Sequence, residues 1–338
     1  MKAMLLKDPF NMVYIDKEKP VPGHAEALLK IRAVGICGTD IHAYTGKQPF
    51  FNYPRILGHE ICAEVAEVDS ACESITIGQR VSVIPCDPCY SCFACREGRT
   101  NCCESASLFG VHKDGAFQEY LSVPEKNLVV VPDELSDSTV ALIEPFAIGA
   151  HAIARVGVKQ SDDVLVIGAG PIGIGIAAIA KEYGANVVVA DVQASRRKHI
   201  ETVLKLKTVN PLDEGFSDDL KSSFNNMYPQ TVIDVTGNPQ SMNNSINFLR
   251  HAGKLEFVGL FIGELCIDDV EFHKRETTLF SSRNATRDDF NEVIRLFQKG
   301  ALSEGLMKNK ELDFLNIHNY GEDVINDKAL IKAVINFS

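Results

Sequence analysis

The chain has 338 residues, of which 45% are hydrophobic and 23% are charged, and this ordinary globular composition excludes a disordered or low-complexity protein. A chain of this length is typical of two domains rather than of one small module. Its 34 basic and 45 acidic residues give a formal net charge of −11, which argues against nucleic-acid and anionic-membrane partners because both attract basic surfaces.

The sequence predicts neither a targeting segment nor a membrane span. The apolar run at the N-terminus is broken by Lys7 and Asp8. The most apolar stretch, 164–180, contains four glycines and a proline and ends at Lys181. We therefore expect a soluble, cytoplasmic protein, in which the ten cysteines stay reduced.

In chain order, the predicted elements fall into three regions. Residues 1–147 carry short apolar runs separated by Gly, Pro and Asp, which predict a β-rich, mostly antiparallel domain. Residues 148–285 alternate strand-like runs with helical patterns, which predicts βαβ units and a doubly wound parallel sheet. Residues 286–338 contain two helix-like segments, around 287–299 and 323–335. The predicted fold class is therefore α/β.

A glycine-rich motif follows the first strand of the middle region. The segment Gly168-Ala169-Gly170-Pro171-Ile172-Gly173 matches G-x-G-x-x-G between a strand and a helix. In such a motif the glycines permit the tight turn, the approach of the backbone to a pyrophosphate and close helix packing, and the helix N-terminus attracts the phosphates. The motif predicts a dinucleotide site; a glycine turn without a nucleotide is the alternative.

The choice of dinucleotide depends on Asp191, which ends the next strand 18 residues after Gly173. Its carboxylate can accept hydrogen bonds from both hydroxyls of the adenosine ribose, and it would repel a 2′-phosphate. This predicts NAD rather than NADP, with Arg196 as a further cofactor-binding residue. Arg196 and Arg197 are also cations that could attract a 2′-phosphate, so use of NADP stays open.

Six cysteines lie between positions 86 and 103, far above chance. Four thiolates in one short segment suit a closed, tetrahedral zinc site that stabilises the fold. Spacing alone leaves the register open, because Cys86 and Cys102 fit as well as their neighbours. A DNA-binding zinc finger is the weaker interpretation, since neither a histidine pair nor a basic helix follows the cysteines.

A second group of metal-ligand types is spread along the chain. Cys37 and His59 are separated by about twenty residues, and Glu144 is a candidate third ligand. Three protein ligands from distant positions, with a fourth position open, are typical of a catalytic zinc.

Together these motifs resemble the zinc-dependent medium-chain dehydrogenases. The resemblance rests on GICGTDIH (35–42), GHE (58–60), the cysteine lobe, EP (144–145) and GAGPIG (168–173), and it spans essentially the whole chain. It implies a GroES-like catalytic domain (1–147) that carries the zinc lobe (86–104), a Rossmann NAD-binding domain (148–285) and a C-terminal segment (286–338) that returns to the catalytic domain. It also implies a homodimer or homotetramer formed through sheet edges of the Rossmann domain.

The Glu-Pro pair at 144–145 resembles the polyol branch of this family, which includes sorbitol, threonine and butanediol dehydrogenases. Four longer stretches, 36–62, 98–104, 109–124 and 273–286, resemble bacterial sugar-acid dehydrogenases of the L-galactonate type. This resemblance implies oxidation of a secondary alcohol of a sugar acid by NAD. A polyol or threonine dehydrogenase is the alternative.

The resemblance also implies two zinc ions with separate ligand sets. For the catalytic zinc it implies Cys37 and His59 with a carboxylate, for which we rank Glu144 first and Glu60 as an exchanging second. For the structural zinc it implies the positions Cys89, Cys92, Cys95 and Cys103.

Further roles follow from the same resemblance and from substrate chemistry. The resemblance implies that Thr39 receives the alcohol proton and passes it through the nicotinamide ribose to His42, which releases it to water. Arg283 could clamp a substrate carboxylate, although polyol relatives use an arginine near here to hold water or hydroxyls. The aromatic residues predicted to wall the pocket are Tyr44, Phe50 and Phe109.

Two functions without catalysis compete with the dehydrogenase. One is a zinc- and nucleotide-binding sensor, and the other is a nucleic-acid or protein-binding module built on the cysteine lobe. The presence of Thr39 and His42 beside the ligand candidates favours the enzyme, because a binding protein needs no proton path.

Overall fold

The computed structural model describes residues 1–48, 51–317 and 319–337. It divides into two compact units. The β-rich unit comprises Met1–Glu144, Ala285–Gln298 and Met307–Ser338, and the parallel-sheet unit comprises Pro145–Asn284 and Lys299–Leu306. The predicted domain bounds, 1–147, 148–285 and 286–338, remain predictions.

Strands run through both units. In chain order they are β1 (Lys2–Asp8), β2 (Asn11–Asp16), β3 (Glu26–Gly35), β4 (Arg55–Ile56), β5 (Glu60–Val68), β6 (Arg80–Val83), β7 (Cys86–Asp87), β8 (Ser107–Leu108), β9 (Tyr120–Pro124), β10 (Leu128–Val130), β11 (Asp163–Ile167), β12 (Asn186–Ala190), β13 (Lys207–Val209), β14 (Thr231–Asp234), β15 (Lys254–Phe257), β16 (Thr278–Ser281), β17 (Lys308–Asp313) and β18 (Lys332–Asn336).

The α-helices are mostly short. They are α1 (Gly38–Tyr44), α2 (Phe93–Arg96), α3 (Asp137–Ala141), α4 (Ile143–Val156), α5 (Pro171–Glu182), α6 (Ala194–Val203), α7 (Phe216–Ser222), α8 (Pro239–Asn244), α9 (Asp269–Lys274) and α10 (Arg287–Gln298). Within the described residues, no helix is long and apolar enough to cross a bilayer.

The β-rich unit is built around one mixed sheet. Its strand order is β10-β6-β5-β3-β18-β17, with β9 also paired to β3, and every pair except β17–β18 is antiparallel. β3 and β5 bury apolar residues on both faces, as expected for central strands packed on both sides. β3 ends just before Cys37, and β5 begins just after His59, so both strands lead to candidate metal ligands.

The parallel-sheet unit has the strand order β13-β12-β11-β14-β15-β16, and all of its pairs are parallel. β12 and β13 lie on one side of β11, and β14, β15 and β16 lie on the other side. The strand order therefore reverses between β11 and β14. Open sheets of this kind bind ligands at the carboxyl ends of the strands at that reversal. The predicted α/β fold class is confirmed.

The prediction for the C-terminal tail was half right. The helix predicted at 287–299 is present as α10, but the helix predicted at 323–335 is wrong. That segment forms one π-helical turn, Gly321–Ile325, and then strand β18. β18 inserts between β3 and β17, where Ala333, Val334 and Ile335 are fully buried and their backbone groups are paired. The tertiary pairing of these residues overrides a pattern that also fits a helix.

Candidate metal and dinucleotide sites

The cysteine lobe brings four thiols together. The sulfur atoms of Cys89, Cys92, Cys95 and Cys103 all lie within 4.8 Å of one another, whereas Cys86 and Cys102 are not part of this group. Backbone N–H groups of Cys89 and Cys92 donate to the sulfurs of Cys103 and Cys89 at 3.2 and 3.3 Å. Hydrogen bonds from Ser91 lower the pKa of Cys89 to about 5. Four sulfurs so arranged fit a closed tetrahedral zinc site.

A second group lies where α1 and β5 begin. Ligand atoms of Cys37, His59 and Glu60 lie within 4.8 Å of one another, and both His59 and Glu60 are buried. Cys37 is the N-cap residue of α1, and Glu60 is the first residue of β5. Three donors of types N, O and S leave one tetrahedral position open, which suits a catalytic zinc rather than a structural one.

Asp40 organises this group from inside the protein. It is fully buried and accepts hydrogen bonds from the backbone N–H groups of Cys37 at 2.9 Å and of Gly58 at 3.2 Å. Its carboxylate lies 3.8 Å from Nδ1 of His59. Burial opposes a charged imidazole, yet the charges of Cys37 and Asp40 raise the pKa of His59 well above its usual range. Asp40 is not among the predicted site residues, although it lies inside the GTDIH motif.

Glu60 is held by a buried lysine from the end of the chain. Lys332, on β18, donates from Nζ to Oε1 of Glu60 at 2.6 Å and to the carbonyl of Ile36 at 3.0 Å. Oε2 of Glu60 has no hydrogen-bond partner among the described residues. A Cβ added at Gly35 would lie 2.0 Å from that oxygen, so the glycine leaves the room it occupies. A buried carboxylate oxygen without a partner, beside a thiol and an imidazole, fits a metal ligand.

Glu144 lies nearby but outside the three-ligand group. It is buried in the first turn of α4, and burial raises its pKa to about 7. Its charge also raises the pKa of His59, so it is within electrostatic reach of the site. Among the described residues the three-ligand group contains Glu60 and not Glu144, and the choice of third donor between them stays a prediction.

The predicted proton path lies on α1. Thr39 is half-buried, and His42, three residues further along the helix, is exposed. Residues three apart are neighbours on a helix surface. The proton path through these two residues stays a prediction.

The structure gives the predicted substrate residues less support. Tyr44 and Phe109 belong to the buried core of the β-rich unit, where Tyr44 packs on Tyr320 with ring centroids 5.1 Å apart. Arg283 is exposed and follows β16 in the parallel-sheet unit. Phe50 lies outside the described residues. The substrate roles of all four stay predictions.

The parallel-sheet unit contains a cavity of about 510 Å³ at the carboxyl ends of β11, β12 and β14. The predicted cofactor residues that line it are Gly168, Gly170, Pro171, Ile172, Gly173, Asp191 and Arg196. Gly168 has a φ of 108°, which favours glycine, and a Cβ at Gly173 would lie 1.8 Å from the carbonyl oxygen of Gly168. Gly168 and Gly173 thus leave an open space at the N-terminus of α5, and residues with larger side chains at these two positions would not fit.

Asp191 is fixed at this cavity by backbone groups. Its Oδ2 accepts from the N–H of Ala169 at 2.8 Å, and its Oδ1 accepts from the N–H of Gln193 at 2.7 Å. Nη1 of Arg196 lies 3.9 Å from Oδ2. The carboxylate is therefore oriented before any ribose binds.

Comparisons with known proteins place the chain in a family. Residues 23–133 match the alcohol dehydrogenase GroES-like domain, and residues 171–299 match the zinc-binding dehydrogenase domain. The chain is 50% identical over 338 residues to the L-galactonate-5-dehydrogenase of Escherichia coli K12, covering 100% of this chain and 99% of the relative. The chain belongs to the zinc-binding dehydrogenases.

Other members of these dehydrogenases are more distant. The sorbitol dehydrogenase of Bacillus subtilis is 35% identical over 249 residues, which are 71% of this chain and 70% of the relative. The crystal structure of the alcohol dehydrogenase RspB from E. coli CFT073, complexed with NADH, superposes with a TM-score of 0.93 at 29% identity, covering 100% of this chain and 99% of that one. The predicted family, dehydrogenase activity, and use of zinc and a nicotinamide cofactor are confirmed.

Proposed function

We propose that this zinc-binding dehydrogenase oxidises a secondary hydroxyl of a sugar acid of the L-galactonate type to a ketone, with NAD as the acceptor. The net reaction converts the alcohol and NAD⁺ into the ketone, NADH and a proton. The observation that carries this proposal is the three-donor group of Cys37, His59 and Glu60 with one position open, in a chain 50% identical along its whole length to an L-galactonate-5-dehydrogenase. A polyol substrate is the second candidate, supported by the similarity to a sorbitol dehydrogenase.

The catalytic chemistry follows from the residues of the β-rich unit. Cys37, His59 and Glu60 would hold the zinc ion, whose Lewis acidity would make an alcohol proton removable near neutral pH. Lys332 keeps Glu60 in place through the 2.6 Å ion pair, and Asp40 places a carboxylate 3.8 Å from Nδ1 of His59. The Thr39 hydroxyl then accepts the alcohol proton while its own proton moves on towards the exposed His42, which releases a proton to water. One further residue, Arg283 of the parallel-sheet unit, is the proposed cation for the substrate carboxylate.

NAD rather than NADP fits the end of β12. Asp191 already accepts two backbone hydrogen bonds, and its remaining lone pairs can accept from the ribose hydroxyls. A 2′-phosphate there would face this carboxylate. Arg196, 3.9 Å away, offsets only part of that repulsion.

We further propose that the exposed edge strand of the parallel sheet is an interface between copies of the chain. Among the strands that the structure describes, β16 pairs with β15 alone, and Leu279 on it is 39% exposed. Leu260 and Ile262, in the loop after β15, are 70% and 78% exposed. Large exposed apolar groups beside an open strand edge support a second copy of the chain as the partner. The protein would then be at least a homodimer, and its net charge of −11 agrees with a cytoplasmic location away from anionic membranes.

The substrate is tested by following NAD⁺ reduction in zinc-loaded enzyme with L-galactonate, L-idonate, D-altronate, sorbitol and L-threonine. We expect the highest kcat/KM with L-galactonate. A higher value with sorbitol or L-threonine would assign the polyol function instead, and no reduction with any of the five would overturn both. The Cys37→Ala variant is the control, because it removes a zinc donor and should lose activity with every substrate.

A further inference from the structure

Asp234 is a buried carboxylate beside the dinucleotide cavity that has no assigned role. It ends β14, next to β11 on one side and β15 on the other, and it is fully buried. Asp234 itself does not line the cavity, but Val235, Thr236 and Asn238, which follow it, do.

Four donors converge on this carboxylate. Its Oδ1 accepts from the backbone N–H of Thr236 at 2.9 Å and from the hydroxyl of Thr236 at 2.7 Å. Its Oδ2 accepts from the hydroxyls of Ser241 at 2.6 Å and Ser245 at 2.9 Å. Burying a carboxylate is costly unless hydrogen bonds replace its water, and here both oxygens are supplied from the protein.

These bonds form a closed ring. The hydroxyl of Thr236 accepts from the N–H of Asn238 at 3.0 Å, and the side chain of Asn238 accepts from the N–H of Ser241 at 3.0 Å. Ser241 returns to Asp234 through its hydroxyl. The cavity wall includes Thr236, Asn238 and Ser241. Asp234 lies outside the lining and fixes this part of the wall through its hydrogen bonds.

Packing fixes the same turn against its neighbours. The turn after β14, residues 235–238, packs directly on the glycine motif, because a Cβ at Gly168 would lie 2.9 Å from the side chain of Val235. A Cβ at Gly237 would lie 2.7 Å from the carbonyl oxygen of Leu260 on the other side. The turn therefore has little room to shift while the ring is intact.

We infer that Asp234 is a positioning residue for the dinucleotide, acting through Thr236 and Asn238. It orders the β14 turn before the cofactor binds, so the cofactor does not have to supply the ordering free energy. The inference rests on NAD as the coenzyme of the proposed function.

The test is the Asp234→Asn variant, which keeps the shape but replaces one acceptor oxygen with a donor. NADH binding is measured directly from the fluorescence of NADH, with steady-state kinetics alongside. We expect the Kd for NADH and the KM for NAD⁺ to rise about tenfold, with kcat at saturating NAD⁺ within about twofold of wild type. A Kd equal to that of wild type would overturn the inference.

Ser245→Ala is the matched control. It removes a hydrogen bond to the same carboxylate from a residue that does not line the cavity. We expect a lower Tm with the NADH Kd within about twofold of wild type. If Ser245→Ala weakened NADH binding as much as Asp234→Asn, the effect would be one of general stability and the positioning role would be wrong.

Thr236 provides a second route if Asp234→Asn does not fold. Thr236→Val removes the hydroxyl but keeps the shape, and should weaken NADH binding; Thr236→Ser keeps the hydroxyl and should recover most of it. Equal binding by the two variants would overturn the inference. Failure of the wild-type protein to bind NADH would instead overturn the coenzyme assignment and the inference with it.

Discussion

Gly35 determines, at the scale of one residue, where the carboxylate of Glu60 can lie. It ends β3, and its backbone runs so close to Glu60 that a Cβ would lie 2.0 Å from Oε2. Because Lys332 holds Oε1 at 2.6 Å, the carboxylate cannot move aside without breaking a buried ion pair.

Replacing Gly35 with alanine should therefore disturb the catalytic zinc site. We expect Gly35→Ala to lose zinc from the group of Cys37, His59 and Glu60 and to reduce kcat/KM by about 10- to 100-fold, the usual cost of a displaced ligand shell. Zinc per chain and NAD⁺ reduction measure the effect.

Gly38→Ala is the control, since a Cβ there meets no atom of the described residues within 4 Å. It should keep its zinc. Full zinc content and activity in Gly35→Ala would show that Glu60 is not a ligand and would return that role to Glu144.

A second residue-scale feature is Glu256, on β15. Its side chain is fully buried, and neither carboxylate oxygen has a hydrogen-bond partner among the described residues. Burial raises its pKa to about 8, against the opposing charge of Arg155. The folded protein therefore keeps a proton at neutral pH that the unfolded chain, with a carboxyl pKa of about 4.3, releases.

This difference predicts stability that falls as the pH rises. Between about pH 4.3 and pH 8 only the folded state binds the proton, so the free energy of unfolding decreases with pH and levels off above about pH 8. The total loss is on the order of 5 kcal/mol. We expect Glu256→Gln to gain stability relative to wild type from pH 5 to pH 8, measured as Tm or denaturant midpoint. Glu214→Gln, at an exposed position, is the control; parallel curves for Glu256→Gln and wild type would contradict the prediction.

At the scale of elements, the cysteine lobe has little secondary structure of its own. It contains the two-residue strands β7 and β8, the four-residue helix α2 and one 3₁₀ turn, Thr100–Cys102. Elements this short do not hold a fold by backbone hydrogen bonding alone. The four thiols are the feature that can fix it, through metal.

Removing one of these thiols should unfold the lobe locally. We expect Cys92→Ser to lose the structural zinc and to lower Tm by several degrees, since a loss of about 2 kcal/mol corresponds to roughly 4–8 °C. Cys102→Ser is the matched control, because Cys102 is adjacent to Cys103 but outside the four-thiol group. Loss of zinc from Cys102→Ser rather than Cys92→Ser would mean that a different set of four cysteines binds the structural zinc.

At the scale of the whole molecule, the metal-ligand group and the dinucleotide cavity belong to different units. The donors Cys37, His59 and Glu60 are in the β-rich unit, and the glycine loop and Asp191 are in the parallel-sheet unit. The open edge at β16 also belongs to the parallel-sheet unit, together with the exposed Leu260 and Ile262.

Association through that edge can be tested by charge. We expect Leu279→Lys to lower the molar mass in solution, measured by sedimentation or light scattering, because a lysine on an edge strand opposes pairing with a second copy. Val21→Lys, at a residue that is 83% exposed in the β-rich unit, should leave the mass unchanged. A wild-type protein that is monomeric at micromolar concentration would contradict the proposed dimer.

The sequence by itself determined the features that depend on short spacings. The glycine motif, Asp191 and the cysteine lobe each lie within about twenty-five residues, and local sterics or ligand spacing restrict what such segments can do. The strand and helix patterns of 148–285 likewise predicted the parallel sheet, because alternating elements admit few topologies.

Only the tertiary structure decided which distant groups meet. A ligand atom of Glu60 lies within 4.8 Å of those of Cys37 and His59, and Lys332 reaches Glu60 from 272 residues further along the chain. Strand β18 formed where the pattern fitted a helix, because its partners β3 and β17 are far away in sequence. Local propensity is worth a fraction of a kcal/mol per residue, whereas burial and pairing with distant strands are worth more and cannot be read from spacing.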